Sequence, residues 1–287
     1  MDAWYFTEMP YPHIPPHDEI EAMRVSLPNA EFDPVLGGQL YNRYLDEYML
    51  ADELGLEIMV NEHHATPVCI NSAAPLSLAI LARQTKRARL LILGNPIANR
   101  DDPIRVAEEM AMIDCISGGR LECGMVRGVP FEIFPANTNP TLTNDRLWEG
   151  IDLVAAAWTR RGAPFNYEGR FWHKRSVNIW PRPIQQPRPR IWITGTNGHE
   201  NIKRVAREGH APIATHKKRI IEYKPQLIQQ MTCGRLRKGK ADGSTRNIAF
   251  FQQYYQRTQI DHIEAAIAKH LKIHKAIECS IIYTNKI

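Results

Sequence analysis

The feature that most constrains this chain is a series of short apolar runs, each closed by a polar or glycine-containing turn and followed by a helical stretch. "LEIMV", "RARLLILGN", "RLECGMV" and "RIWITGT" read as strands, and "RARLLILGN" is too apolar to lie half exposed. That pattern marks strands buried on both faces, as in a parallel sheet. Between them, apolar positions recur at helical spacing: Leu40, Tyr41, Tyr44, Leu45, Tyr48 and Met49 run up to Gly55. "SAAPLSLAILARQTKR" is a second helical stretch, with Asn71 or Ser72 as its expected N-cap. "DDPIRVAEEMAMIDCISGGR" is the most fully punctuated, with Asp102 as N-cap, Pro103 at the first helical position and Gly118–Gly119 as the stop.

The rest of the chain continues the alternation. "WYF" opens it, ahead of a loop rich in proline and aromatic residues, and Leu147, Ile151, Val154 and Trp158 mark a further helix. "FNYEGRFWHK" reads as a hairpin turning at Glu168–Gly169, and "WPRPIQQPRP" as an extended segment. "ENIKRVAREG" reads as a helix and "HAPIAT" as a sixth strand; "NIAFFQQYY" and "ECSIIYTNKI" are expected as strands seven and eight, flanking the helix "DHIEAAIAKHLK". Eight strands alternating with helices predict a single α/β domain over residues 1–287, a (β/α)8 TIM barrel. A doubly wound sheet is the alternative, but no GxGxxG follows the first strand to support it.

Composition narrows the function classes. No apolar run approaches the ~20 residues of a membrane span. The first residues carry neither a basic start nor an apolar stretch, so no secretory leader is expected. The five cysteines are odd in number and form no CxxC pair, which predicts reduced thiols in the cytoplasm rather than disulfides or a zinc site. The net charge of +5 conceals +11 over residues 201–287 and −6 before them. The basic clusters "THKKR" and "GRLRKGK" lack interleaved aromatics and read as solvated surface rather than a nucleic-acid interface.

In a (β/α)8 barrel the active site lies at the C-terminal strand ends. Strand two ends in Asn61, Glu62, His63 and His64, strand three in Gly94, Asn95 and Pro96, strand four in Arg127 and Gly128, and strand five in Gly195, Thr196, Asn197 and Gly198. Each has an ordinary reading: a polar rim cluster, an ion pair, or a turn needing positive φ. Adjacent histidines on a strand end point to opposite sides, and no HExxH spacing exists, so no metal site is expected. Gathered at one mouth, however, they suit an anionic ligand and proton chemistry. Successive backbone N–H groups form an anion nest, and an imidazole changes charge near neutrality.

Several of these segments, in order and spacing, resemble the bacterial luciferase-like flavin-dependent monooxygenase family over roughly residues 57–214. They are the "EHH" strand end, "DPIRVAEEMAMID", "SGGRLECGMVRG", "NDRLWEGIDLVAAAWT", "YEGRFWH…WPRPIQQPRPRIWI" and "GHENIKRVAREG". The resemblance implies a barrel that receives reduced FMN from a separate flavin reductase and uses molecular oxygen on a small, apolar substrate. A deazaflavin-dependent oxidoreductase and a non-catalytic flavin-binding protein are the alternatives. It also implies that His63 works beside the reactive edge of the flavin, that Glu62 packs on the isoalloxazine, and that Gly94 and Asn95 let β-strand three approach the ring. Arg127, Arg146 and the turn of Gly195, Thr196, Asn197 and Gly198 would hold the FMN phosphate. A homodimer built on the helices after strands two and three is implied as well.

Two departures stand out. Val126 occupies the position of luciferase's reactive cysteine, with Cys123 nearby in sequence. The link between "FFQQYY" and "ECSIIYTNKI" is shorter than the family's and no closing helix follows, so a shortened or incomplete C-terminal end of the barrel is expected.

Overall fold

A computed structural model of the chain describes residues 2–16, 19–20, 26–194, 199–213 and 280–284. In chain order its elements are β1 (Asp2–Phe6), α1 (Pro34–Glu53), β2 (Glu57–Val60), α2 (Ala74–Gln84), β3 (Leu90–Asn95), α3 (Pro103–Ser117), β4 (Leu121–Met125), α4 (Pro130–Ile133) and α5 (Thr143–Thr159). There follow β5 (Phe165–Glu168), β6 (His173–Val177), β7 (Arg190–Thr194), α6 (His199–Arg207), β8 (Ala211–Ile213) and β9 (Ser280–Thr284). The main sheet has the order β8-β7-β4-β3-β2-β1-β9. Every pairing in it from β1 to β8 is parallel. This is the wall of a TIM-type barrel, with β5 and β6 forming an antiparallel hairpin in the connection between β4 and β7.

Both faces of the wall are buried, which is why its strands lack polar alternation. Tyr5, Ile58, Ile92, Cys123 and Ile191 pack with residues of the helices, such as Tyr48, Leu78, Met110 and Trp158. Their neighbours Trp4, Met59, Leu91, Trp192, Ala211 and Ile213 form a separate cluster on the opposite, inner face. At the strands' N-terminal ends Arg89 bridges Glu57 at 2.9 Å and Glu122 at 3.0 Å. The Trp192 indole N–H donates to the same Glu122. These contacts tie β2, β4 and β7 together at that end.

The helix boundaries follow local signals in two cases and depart from them in a third. Asp33 caps α1 by accepting from the Val35 amide at 2.8 Å. Asp102 caps α3 through the Ile104 amide at 3.0 Å, and Gly118 ends that helix at φ 68°. For α2, neither Asn71 nor Ser72 is the cap. The Asn71 side chain is committed to the Asn61 carbonyl at 2.8 Å and to Ser77 Oγ at 2.8 Å. Glu62, at the end of the preceding strand segment, accepts from the Ala74 amide instead, at 3.0 Å.

The expected eighth strand is present as β9 but runs antiparallel to β1, from Asp2 opposite Thr284 to Phe6 opposite Ser280. An antiparallel neighbour satisfies the ladder of β1 as fully as a parallel one would. The expected seventh strand and the two basic clusters lie outside the described residues. Among the described residues, no helix is long and apolar enough to cross a membrane.

Candidate active site at the strand ends

Beyond Val60 the chain leaves the sheet with Asn61 and Glu62 buried and His63 and His64 half-buried. His63 Nδ1 lies 2.8 Å from Glu132 Oε1, and its Nε2 lies 3.7 Å from Glu8 Oε2. Phe131 packs against the ring, with centroids 5.8 Å apart. His64 approaches the same Glu132 oxygen at 3.7 Å through Nδ1, and Glu62 Oε1 at 3.5 Å through Nε2. The two rings therefore converge on one carboxylate instead of diverging. The reason is that β2 ends at Val60, so strand alternation no longer governs them. Among the described residues, no group of three or more His, Cys, Asp or Glu side chains is arranged to hold a metal ion.

Glu132 was not among the residues expected from sequence. It sits in α4, a single turn started by Pro130, where its Oε2 accepts from the Val129 amide at 3.2 Å. Burial works against its charge, yet contact with His63 and His64 holds its carboxyl down to about 2. In return the Glu132 carboxylate raises the pKa of His64 above the ordinary imidazole value, over the opposing effect of burial. The sequence does carry a helix-start signal here, a proline at the first position followed by an acid, but that signal names no partner. Glu8 and Arg100 were missed as well. Glu8 accepts from Asn61 Nδ2 at 2.6 Å, which fixes its position beside His63.

Glu62 has no exposed side-chain surface, and Arg100 Nη2 pairs with it at 2.5 Å while Ala74 N–H donates to its other oxygen. Burial raises its pKa despite the Arg100 charge. Its carboxylate thus ties strand end, helix start and the loop after β3 together. Arg100 Nε also reaches Asn95 Oδ1 at 3.4 Å, while Asn95 Nδ2 is buried without a partner among the described residues.

The two arginines expected at a phosphate differ in their surroundings. Arg127, at the end of β4, is exposed and has no side-chain partner among the described residues. Arg146 donates from Nε to the Ala98 carbonyl at 2.7 Å and from Nη2 to the Arg100 carbonyl at 3.3 Å, and it stacks 4.6 Å above the Trp172 ring. Its donors therefore brace the loop after β3. Gly94 lies against β4 so closely that a Cβ would stand 2.2 Å from Val126 Cγ1. At Gly128 φ is +86°, and a Cβ would meet Asn99 Nδ2 at 2.5 Å, so only glycine suits that turn. Cys123 is fully buried among the helix-facing residues, and burial pushes its thiol well above the ordinary value. Gly195, Thr196, Asn197 and Gly198 lie outside the described residues.

The structure thus joins Glu62, His63 and Asn95 through Glu132, His64 and Arg100. It sets Gly94 beside the strand that carries Arg127, and commits Arg146 to the loop backbone. A cation and a buried amide, each without a partner among the described residues, and a held imidazole fit an anionic cofactor such as FMN. A cleft of about 420 Å³, bounded by residues including Tyr11, Phe32, Ala65, Thr66 and Ile70, adjoins His64 along the chain. A larger groove of about 550 Å³, lined by Arg160, Phe165, Trp180 and Arg182 among others, shares no residue with the site.

A family model described as luciferase-like monooxygenase matches residues 23–278. The oxygenase component of the flavin-dependent trigonelline monooxygenase of Acinetobacter baylyi is 34% identical over 168 residues, covering 56% of this chain and 46% of that protein. The FMNH(2)-dependent dimethylsulfone monooxygenase of Pseudomonas putida is 26% identical over 165 residues, covering 55% of this chain and 44% of that protein. The chain thus spans about half the length of these curated relatives. Among solved structures, monooxygenase RslO1 from Streptomyces bottropensis matches with a TM-score of 0.70 at 22% identity, covering 95% of this chain and 78% of that one.

Proposed function

The chain belongs to the luciferase-like monooxygenase family, and from that premise we propose that it is a flavin-dependent monooxygenase supplied with reduced FMN by a separate reductase. The observation that carries this reading is His63, an imidazole fixed at Nδ1 by Glu132 with Nε2 beside Glu8 at the barrel rim. The names of the two curated relatives, one flavin-dependent and one FMNH(2)-dependent, support the cofactor. Bound reduced FMN would supply the electrons that activate molecular oxygen.

The chain's own residues do the rest. Arg127, exposed and without a side-chain partner among the described residues, offers its guanidinium to the phosphate, and planar paired donors suit that group. Asn95 holds an amide with no partner among the described residues where β3 ends. His63 offers the imidazole that takes up and returns a proton. The cleft between Tyr11, Phe32 and Ile70 supports a small, apolar substrate. Exposed Leu76 and Ile80 on α2 and Met112 and Ile116 on α3 support a homodimer across those helices. Free thiols at Cys69, Cys115 and Cys123 support a reducing, cytoplasmic setting.

The test is anaerobic titration with reduced FMN, and in parallel with reduced deazaflavin, followed by isotopically labelled oxygen and a panel of small ketones, aldehydes and sulfones. Tight binding of reduced FMN and one labelled oxygen atom in a product is the expected result. Hydride transfer with deazaflavin and no oxygen incorporation would make the protein a deazaflavin oxidoreductase. Flavin binding with no product from any substrate would make it a flavin carrier.

A further inference from the structure

We propose that Glu132 is a positioning residue that fixes the tautomer of His63, keeping the proton on Nδ1 so that Nε2 is the nitrogen that exchanges protons at the barrel mouth. This deepens the monooxygenase reading and rests on it for the reaction served, but not for the geometry.

The geometry separates the two ring nitrogens. Nδ1 is at hydrogen-bond distance from Glu132 Oε1, 2.8 Å, whereas among the described residues the carboxylate at Nε2 is that of Glu8, 3.7 Å away. An ionised carboxylate accepts and cannot donate, so the neutral ring must place its proton on Nδ1 to make the short bond. Which nitrogen of a histidine carries the proton is set by the bond the other one makes. Glu132 stays ionised, since its carboxyl is held down to about 2. It is also fixed in place, because its second oxygen takes the Val129 amide and α4 begins at Pro130.

Among the described residues, the other charged and titratable groups around the ring are engaged as follows. Glu8 is oriented by Asn61 at 2.6 Å, and Glu62 is engaged by Arg100 and the Ala74 amide. Cys69, whose Sγ lies 3.6 Å from Asn61 Oδ1, is neutral because burial pushes its thiol up to about 12. His64 reaches Glu132 only at 3.7 Å, so it shares the carboxylate's charge without holding the short bond. The proton balance is then simple. A proton released at the mouth adds to Nε2, the ring becomes an imidazolium with Nδ1–H still bonded to Glu132, and the proton leaves by Nε2 again.

The experiment is nuclear magnetic resonance of the full chain with isotopically labelled histidine, the His63 signal being assigned by its loss in His63→Gln. At a pH where the ring is neutral, the parent should show the proton on Nδ1. Glu132→Gln keeps an amide oxygen for Val129 but offers N–H to Nδ1, so the proton should move to Nε2, and the His64 midpoint should fall toward the ordinary value. Turnover with reduced FMN should drop by about a hundredfold or more, and Glu132→Asp should recover most of it, with FMN affinity within about a few fold throughout. A parent ring protonated on Nε2, or a tautomer unmoved by Glu132→Gln, overturns the proposal. The parent spectrum alone decides should the Gln variant fail to fold. If the tautomer moves as expected while the parent oxygenates nothing, the positioning role stands and the monooxygenase reading fails.

Discussion

Gly94 is packed so tightly that one added methyl group has a definable cost. Its missing side chain has two competing explanations: close approach of a flavin ring, or close approach of β4. The second is visible, since a Cβ on residue 94 would stand 2.2 Å from Val126 Cγ1 and 3.3 Å from the Gly124 carbonyl oxygen. Valine is stiff at χ1, and the Gly124 oxygen belongs to backbone, so neither neighbour moves freely. Overpacking of this kind costs about 1–3 kcal/mol. At roughly 2–4 °C per kcal/mol for a chain of this size, Gly94→Ala should lower Tm by roughly 2–12 °C. Shortening the obstacle should relieve it, so Gly94→Ala with Val126→Ala should be more stable than the two single changes sum to, by about 0.5–3 kcal/mol. Urea unfolding of the four proteins measures that coupling, and FMN titration of the same four reads the ligand. Strict additivity would refute the strand-packing argument. Recovered stability with FMN affinity still lost would show that the methyl group also blocks the ring.

The remaining expectations concern charge and assembly. Arg127→Ala should weaken FMN binding by roughly ten- to a hundredfold with Tm unchanged, because the side chain braces nothing among the described residues. Arg146→Ala should instead lower stability, by about 1.5–3 kcal/mol, because its charge-assisted bonds hold the Ala98 and Arg100 carbonyls; denaturant midpoints separate the two cases. Glu132 titrates at about 2 in the folded chain, below the ordinary 4.5, so its contribution is complete above that ordinary value and is lost as pH falls from there toward 2. Glu132→Gln should therefore flatten the acid limb of stability against pH. His64 is shifted the other way, so its contribution is complete below the ordinary imidazole value of 6.5 and fades as pH rises past it. Light scattering at micromolar concentration should show a dimer, and Leu76→Arg with Met112→Arg should leave monomer.

What could be read from the sequence was what local pattern controls. Strands buried on both faces show as unbroken apolar runs, and Asp102, Pro103 and Gly118 delimit α3 because each acts within one helical turn. What could not be read depends on partners distant in the chain. The cap of α2 is Glu62, 12 positions before the amide it serves, while the local candidate Asn71 is occupied elsewhere. His63 was legible as a candidate from its place at a strand end. Its partner Glu132 lies 69 positions away, and no spacing rule connects them. Arg146 looks like any other basic residue of a first helical turn until the fold places Trp172 beneath it. The direction of β9 was equally hidden, since the period of two along a strand is the same whichever way it runs.

The short stretch after β4 has a further consequence. Arg127 and Glu132 flank one short turn, with the left-handed Gly128 and the start of α4 at Pro130 lying between them. The exposed cation and the carboxylate that orients His63 are thus parts of one replaceable cassette. A single insertion or deletion between them would shift both against the histidine pair, whereas exchanging the stretch whole for one of equal length would carry the pairing across intact. For redesign, this makes residues 127–132 a unit to be transplanted together rather than tuned one position at a time.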